Sequence, residues 1–403
     1  MSYPIQLAGI PKEAYQEYRY EVIFKGYKWD PQVGDHNTVS DCVLLINKET
    51  ASNLEKWAVA LSEETINMEN ALFEKLSLAN ELGLPKKITQ ALPLSKYSDR
   101  SSHIRVMRFD FHPTDTGWML SEVNSDVPGG FAEASVQPEI AEKYFQGYTH
   151  GTSAADRLYK AFQAKTGNNA KIAFIHATSY SDDRQVMQFL CDYFNIRGME
   201  AFPAAPDHLI WKGKKAVSIV EGAEGLVDGI VRFYPLEWFP NLPMGYNWKG
   251  YYDTETISCN HPAAILTQSK RLPLVWDRLG VNIPMWKAFL PETVNPELIR
   301  AFDEEWIYKP AMGRVGEGIS IKEVMPEKER TRIEKEARKY PKEWVAQRRF
   351  HSMPLSTTER QAYHLCVGVF TVDCECAGFY GRISPYPRID ENAKDTPVLI
   401  AKE

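Results

Sequence analysis

HIRVMRFDFHPTDTGWMLSEVN, residues 103–124, changes its hydrophobic rhythm twice. IRVMRFDF alternates and reads as a strand, HPTDTG as a turn, and WMLSEVN as a returning strand. Strand side chains point to opposite faces in turn. Arg108 and Asp110 therefore share a face of the first strand, and Glu122 and Asn124 share a face of the second. A hairpin brings a guanidinium, two carboxylates and a carboxamide together. Asp126 and the turn Pro128-Gly129-Gly130 follow at once. Two readings stand open. One is an oxygen-rich site for a hard ion such as Mg²⁺, which takes carboxylate and carbonyl oxygens beside substrate phosphates, with Arg108 as a fork for a phosphate or carboxylate. The other is an exposed hairpin whose Arg–Asp pair contributes under about 1 kcal/mol. Acceptors crowded on neighbouring strands repel one another unless a cation sits among them, which favours the metal site.

The rest of the chain bounds what such a site can serve. Its 403 residues allow two or three domains or one multi-lobed enzyme. Hydrophobic residues at 44% and charged residues at 25% are ordinary for a globular protein. A net charge of −6 argues against nucleic acid or an anionic membrane as the main partner, and leaves room for a local basic pocket. No stretch approaches the roughly 20 apolar residues of a membrane span, and the start MSYPIQLAGIPKEAY has no signal-peptide pattern. Of six scattered cysteines only Cys374 and Cys376 are close, with no second pair to complete a zinc site, so buried or half-buried thiols are expected. The expected compartment is the cytoplasm.

Periodicity places a long amphipathic helix over residues 50–77, a helix near 133–148, and a parallel βαβ lobe over 171–238. No Gly-x-Gly-x-x-Gly follows the first strand of that lobe, so a dinucleotide site is not indicated. LTQSKRLPLVWDRLG, 266–280, reads as a helix, and EEWIYKPAMGRVGEGISI, 304–321, as strand, glycine-rich turn and strand. PEKERTRIEKEARKY is a charged helix, EWVAQRRF and LCVGVFTVDCECAGFYGRIS are strands, and the final residues from 386 read as polar and loop-rich.

In the glycine-rich turn, Gly313, Gly316 and Gly318 allow the backbone to approach a phosphate, with Lys309 supplying charge. The spacing is not that of a Walker A loop, and a plain hairpin turn is equally open. Lys270 is a second phosphate lysine or a helix-surface lysine. Oxygen cluster, lysines and glycine loop together suit phosphoryl transfer, where catalysis is mainly positioning and charge neutralisation.

The chain resembles the glutathionylspermidine synthase family, carbon–nitrogen ligases of the ATP-grasp superfamily. GYKWDPQVGDHN resembles the family's N-terminal region, and RFDF followed by SEVNSDVPGG its R-x-D … E-x-N-x-D metal signature. VRFYPLEWF, TQSKRLPLVW, YKPAMGRVGEG and WVAQRRFHSMPL resemble further motifs in the family's order. The resemblance implies an α/β fold: an ATP-grasp core with an antiparallel sheet, a small lid lobe near 263–342, and a pre-ATP-grasp-like βαβ lobe. The implied divisions are 1–165, 166–262 and 263–403. It implies that Asp110, Glu122 and Asn124 bind Mg²⁺ ions bridging the phosphates of ATP. Lys270 and Lys309 would contact those phosphates, with the loop from Gly313 through Gly316 to Gly318 closing over them. Gln347 would help hold the nucleotide, and Arg108 and Arg382 would stabilise the transferred phosphate. The implied reaction joins a small-molecule or peptide carboxylate to an amine through an acyl phosphate.

The sequence departs from the family pattern at Val315 and Ile383, where the family has Glu, and at Pro128-Gly129-Gly130. No amidase domain is expected. These departures motivate a second reading, a noncatalytic ATP-binding relative acting as scaffold or sensor. A small-molecule kinase is a third.

Overall fold

Alternation along residues 106–124 becomes an antiparallel hairpin of strands Val106–Thr114 and Gly117–Asn124. The computed structural model describes residues 5–95, 102–299, 305–314, 316, 318–357 and 361–402. Val315 lies outside them. The turn is tighter than HPTDTG suggests. His112 and Pro113 still pair with Met119 and Trp118, so only Asp115 and Thr116 remain to reverse the chain.

The hairpin sits at one side of an antiparallel sheet ordered Lys394–Thr396, Glu375–Ser384, Ala362–Val372, Val106–Thr114, Gly117–Asn124. Met107, Phe109 and Phe111 are fully buried on one face. They join Val367, Val369 and Phe379 in a core with Leu54, Ala58 and Leu61 of the long helix Lys48–Glu74. Asn47 starts that helix by accepting a hydrogen bond from the Thr50 amide at 2.8 Å. The opposite face carries Arg108, Asp110, Cys366, Tyr380 and Arg382 toward a cavity.

The expected βαβ unit forms from Lys171–Ile175, the helix Ser181–Asn195 and Glu200–Ala204. Its sheet is wholly parallel and wider than the sequence suggests, ordered Glu200–Ala204, Lys171–Ile175, Gly229–Arg232, Ile257–Cys259, His103–Ile104. Its last strand leads directly into the hairpin, so Arg105 alone separates the two sheets. A third sheet pairs Thr293–Val294, Trp344–Arg348 and Trp306–Pro310. Ile333 and Ala337 of the charged helix Glu327–Lys339 pack on Tyr308, Trp344 and Ala346 of this lid.

Several sequence expectations need correction. Residues 266–280 are not one helix: Ala264–Gln268 is followed by short 3₁₀ turns at Leu272–Leu274 and Trp276–Arg278, because Pro273 has no amide to continue an α-helix. No strand forms at 319–321. Ser320 binds Tyr308 instead, accepting from its amide at Oγ (2.8 Å) and donating to its carbonyl (3.2 Å). The C-terminal stretch is not loop-rich throughout. Lys394–Thr396 joins the site sheet, and Val398–Ala401 joins Ile5–Gly9, Cys42–Ile46 and Tyr148–Thr149, burying Val398 and Leu399. The helix near 133–148 is shorter than expected, at Val136–Glu142. None of the six cysteines is in a disulfide; they are buried or half-buried, and Cys374 sits in the turn at φ +66° rather than on a strand with Cys376.

Arg105 is 1% exposed and is held by Glu69, itself fully buried. Nη2 meets Oε1 at 2.5 Å and Nε meets Oε2 at 3.2 Å. Nη1 donates to the carbonyls of Val106 (2.8 Å) and Ser125 (2.6 Å), one from each strand at the open end of the hairpin. Removing one member of a buried pair strands the other charge. Glu69→Ala is therefore expected to destabilise the protein by about 3–5 kcal/mol in chemical unfolding followed by Trp fluorescence. A change within about 0.5 kcal/mol would mean that Arg105 is neutralised by other groups.

Candidate active site

Register fixes the geometry of the quoted residues. Arg108 lies opposite Asn124 and Asp110 opposite Glu122, all on the cavity face. A bulge after Asp110 inserts Ser121, whose hydroxyl donates to the Asp110 carbonyl at 3.2 Å and sits 3.0 Å from His112 Nε2. Arg108 forks onto Asp110, Nε to Oδ1 at 2.7 Å and Nη2 to Oδ2 at 2.9 Å, while Nη1 donates to the Gly129 carbonyl at 2.6 Å. Its guanidinium carbon stands 4.9 Å from the centre of the Tyr380 ring. Gly368 makes room for it on the neighbouring strand: a Cβ there would lie 2.8 Å from Arg108 Cδ. Asn124 Nδ2 donates to Asp110 Oδ2 at 3.0 Å.

The two lysines converge on the same hairpin. Lys270 Nζ is 2.9 Å from Glu122 Oε2 and donates to the Gly313 carbonyl at 2.7 Å, so it links the carboxylate to the glycine loop. Lys309, at the end of its lid strand, donates to the Ser121 carbonyl at 3.2 Å. Gly316 lines the cavity at φ +69°, and a Cβ there would meet the Ile389 carbonyl at 2.6 Å. Gly318, at φ +68°, packs beside Pro310, as does Gly313. Arg382 lines the far side and donates to the Asp390 carbonyl at 2.5 Å. Gln347 stands apart: it is buried in the lid sheet, donates to Thr293 Oγ1 at 2.9 Å, and does not line the cavity.

The cavity encloses about 370 Å³, within the range of small-molecule sites of about 300–1,000 Å³. Its lid side adds Ile307, Ile319, Ile321 and Phe350, an apolar wall. The sequence reading missed Arg314, Arg349, His112 and Glu133, which also line it. Arg314 and Arg349 stand within quoted motifs, but only the folded lid turns them toward the hairpin. Arg314 is held by Glu237 at 2.6 Å.

Burial would raise the Glu122 carboxyl, but Lys270 and Lys309 outweigh it and hold the group down at about 2. Burial likewise pushes Lys309 down to about 8, against the pull of Glu122. His112, buried, falls to about 4 and is neutral at pH 7. The donor set of Asp110, Glu122 and Asn124 consists of hard oxygens, which fits Mg²⁺. Arg108 and Asn124 hold both Asp110 oxygens, and Lys270 holds Glu122 Oε2. An ion entering there would displace those donors, and phosphate oxygens would take them over. Among the described residues no group of three His, Cys, Asp or Glu is arranged to hold a metal ion; the third member here is a carboxamide. No helix among them is long and apolar enough to cross a membrane.

The sequence profile of the glutathionylspermidine synthase preATP-grasp family matches residues 10–401. The chain belongs to this family. Membership supports a function of the ligase type. Among solved structures, a glutathione synthetase like-effector from Globodera pallida, in its apo form, matches with a TM-score of 0.66 over 96% of both chains at 11% identity. That likeness concerns the fold alone. A protein assigned as a gamma-glutamylcysteine synthetase from Methylobacillus flagellatus matches at TM-score 0.43 and 11% identity, over 82% of this chain and 86% of the other. No curated protein matches the sequence.

Lys309 gives this geometry a ligand-free check. Competitive acylation should titrate Lys309 with a midpoint near 8 rather than 10.5, read by mass spectrometry of its peptide. Glu122→Gln removes the carboxylate that favours its charge and should move the midpoint further down. A midpoint like that of surface lysines would contradict the buried placement.

Proposed function

We propose that this chain is an ATP-dependent carboxylate–amine ligase that forms an amide through an acyl phosphate. The observation that carries the reading is one cavity lined by Arg108, Asp110, Glu122 and Asn124 of the hairpin together with Lys309 and Arg382, with Lys270 bound to Glu122 beside it. Family membership supports the same reaction class. In this reading Lys309 and Lys270 hold the phosphates of ATP, and the loop at 313–318 covers them. The apolar lid wall of Ile307, Ile319 and Ile321 takes the base. Gln347 would then support that wall from behind, through the lid sheet. Asp110, Glu122 and Asn124 would hold Mg²⁺, which neutralises phosphate charge during transfer. Arg108 and Arg382 orient the acceptor carboxylate and steady the phosphoryl group as it moves. The lining also carries Glu133, Asp182 and Asp183, carboxylates suited to a cationic amine.

A nucleotide-binding module without turnover is the second reading. It is favoured by the Arg108 fork, which leaves neither Asp110 oxygen free. ADP release separates the two. Release from Mg²⁺-ATP should require both an acid and an amine, with glutathione plus spermidine as the first pair and pools of peptides, amino acids and polyamines behind it. Glu122→Ala should lower that rate by about 10²–10³-fold while ATP still binds. ATP bound without any substrate-dependent release would favour the binding module.

The charge state of Lys309 adds a pH signature. Lys309 is cationic below about 8 and neutral above it, so ATP affinity should fall as pH rises through that value. Calorimetry in two buffers should show proton uptake on ATP binding at that pH. Lys309→Met should abolish the uptake and weaken binding by about 10–100-fold. Unchanged affinity in Lys309→Met would remove the phosphate role.

A further inference from the structure

One carboxylate in the cavity has a buried oxygen with no hydrogen-bonded partner among the described residues. Glu133 lies just beyond the Pro128-Gly129-Gly130 turn, is 8% exposed, and lines the cavity. Its Oε2 is buried and accepts no hydrogen bond among the described residues. The cation facing it, Lys28 Nζ, stands 3.8 Å from Oε1, beyond hydrogen-bond reach. Lys28 sits closer to Asp395, at 2.8 Å, and to Asp30, at 3.2 Å. Asp395 also accepts from the Tyr380 hydroxyl at 2.7 Å and has Arg382 Nε at 3.8 Å. Three carboxylates thus surround one lysine, and Glu133 is the one left over. Burial, then Asp395, holds its carboxyl up at about 7 against the pull of Lys28. Asp30 adds in the same direction. Two other carboxylates in the lining are less buried: Asp182 is exposed, and Asp183 is half-buried, its carboxyl held up at about 6 by burial and Asp182 against a backbone hydrogen bond at Ala177.

We propose that Glu133 takes the proton from the incoming ammonium group, so that the amine meets the acyl phosphate as a neutral nucleophile. The inference rests on the ligase reading above. A primary ammonium resembles that of lysine, with a pKa of about 10.4, so at neutral pH almost none of it has a lone pair to attack with. Glu133 Oε2 accepts one N–H proton. The freed lone pair forms the C–N bond, and the acyl C–O bond breaks with its electrons going to the phosphate oxygen. The second N–H proton leaves with the phosphate. The products are an amide that keeps one N–H, hydrogen phosphate, and protonated Glu133, which releases its proton to water when the site opens. A base titrating near the working pH is the efficient choice for this step.

The test compares wild type with Glu133→Gln, using Mg²⁺-ATP, glutathione, and either spermidine or hydroxylamine. Hydroxylamine is weakly basic and already neutral at pH 7, so it attacks an acyl phosphate without help. Glu133→Gln keeps the side-chain volume and breaks no hydrogen bond to Oε2, and an unchanged melting curve verifies the fold. The variant is expected to form hydroxamate at the wild-type rate but to lose amide formation by about a hundredfold. Wild-type amide formation should rise with pH through about 7 and then level off, whereas the variant should keep rising about tenfold per pH unit as the free amine accumulates. Equal amide formation in both proteins overturns the proposal and leaves the ligase reading standing. Loss of both products in the variant also overturns it, since hydroxamate formation needs no base. Wild type that makes neither product removes the ligase reading, and this proposal with it.

Discussion

The buried pair of Arg105 and Glu69 is the constraint on which the rest depends. One residue joins the parallel sheet to the antiparallel site sheet, and it is a charged residue with 1% exposure. A buried ion pair gains little net stability over an apolar contact, since desolvation offsets most of its attraction. Its value is directional. The guanidinium has donors in a fixed plane, and they are spent on Glu69 and on carbonyls of both strands at the open end of the hairpin. Asn260 repeats the arrangement, bonding both the amide and the carbonyl of Val106 and the carbonyls of Ser125 and Asp126. With both strands tied, the hairpin cannot slide, and a slip of one residue would turn Asp110 and Glu122 into the core.

That logic also separates what could be read from the sequence and what could not. The period of two announced the hairpin, and the face shared by Arg108, Asp110, Glu122 and Asn124 followed directly. Asp126, two residues on, continues the same alternation as a fifth member. It is instead fully buried against Arg232, Oδ1 to Nη2 at 2.5 Å, 106 residues away in sequence. Local spacing carries no trace of so distant a partner. The same holds for Glu133, whose condition depends on Lys28 from the N-terminal part and Asp395 from the C-terminal part. Helix and strand boundaries failed where proline or a side-chain bond competed with the ladder, at Pro273 and Ser320. The C-terminal strands were hidden because one pairs with Cys42–Ile46, far back in the chain.

Charges of both signs line the cavity. Lys309, Arg314 and Arg349 come from the lid and its glycine loop, and Arg108 and Arg382 from the sheet. Asp110, Glu122, Glu133, Asp182 and Asp183 supply the carboxylates. Partial exclusion of water strengthens each interaction, so few groups suffice. It also explains why His112, close to these charges, stays neutral: burial outweighs the pull of Asp110.

One interior strand of the site sheet has a consequence for how the protein comes to exist. Val106–Thr114 pairs on one edge with its hairpin partner and on the other with Ala362–Val372. The amide of Arg105, at its start, donates to Asp373, 268 residues later. At synthesis rates of about 5–20 residues per second, the newborn hairpin waits on the order of tens of seconds for that partner. Throughout, it carries an open backbone edge and the apolar row Met107, Phe109 and Phe111. Contacts of such long range also slow refolding of the finished chain. The strand that arranges the site is thus, during birth and refolding alike, the segment most exposed to pairing with the wrong chain.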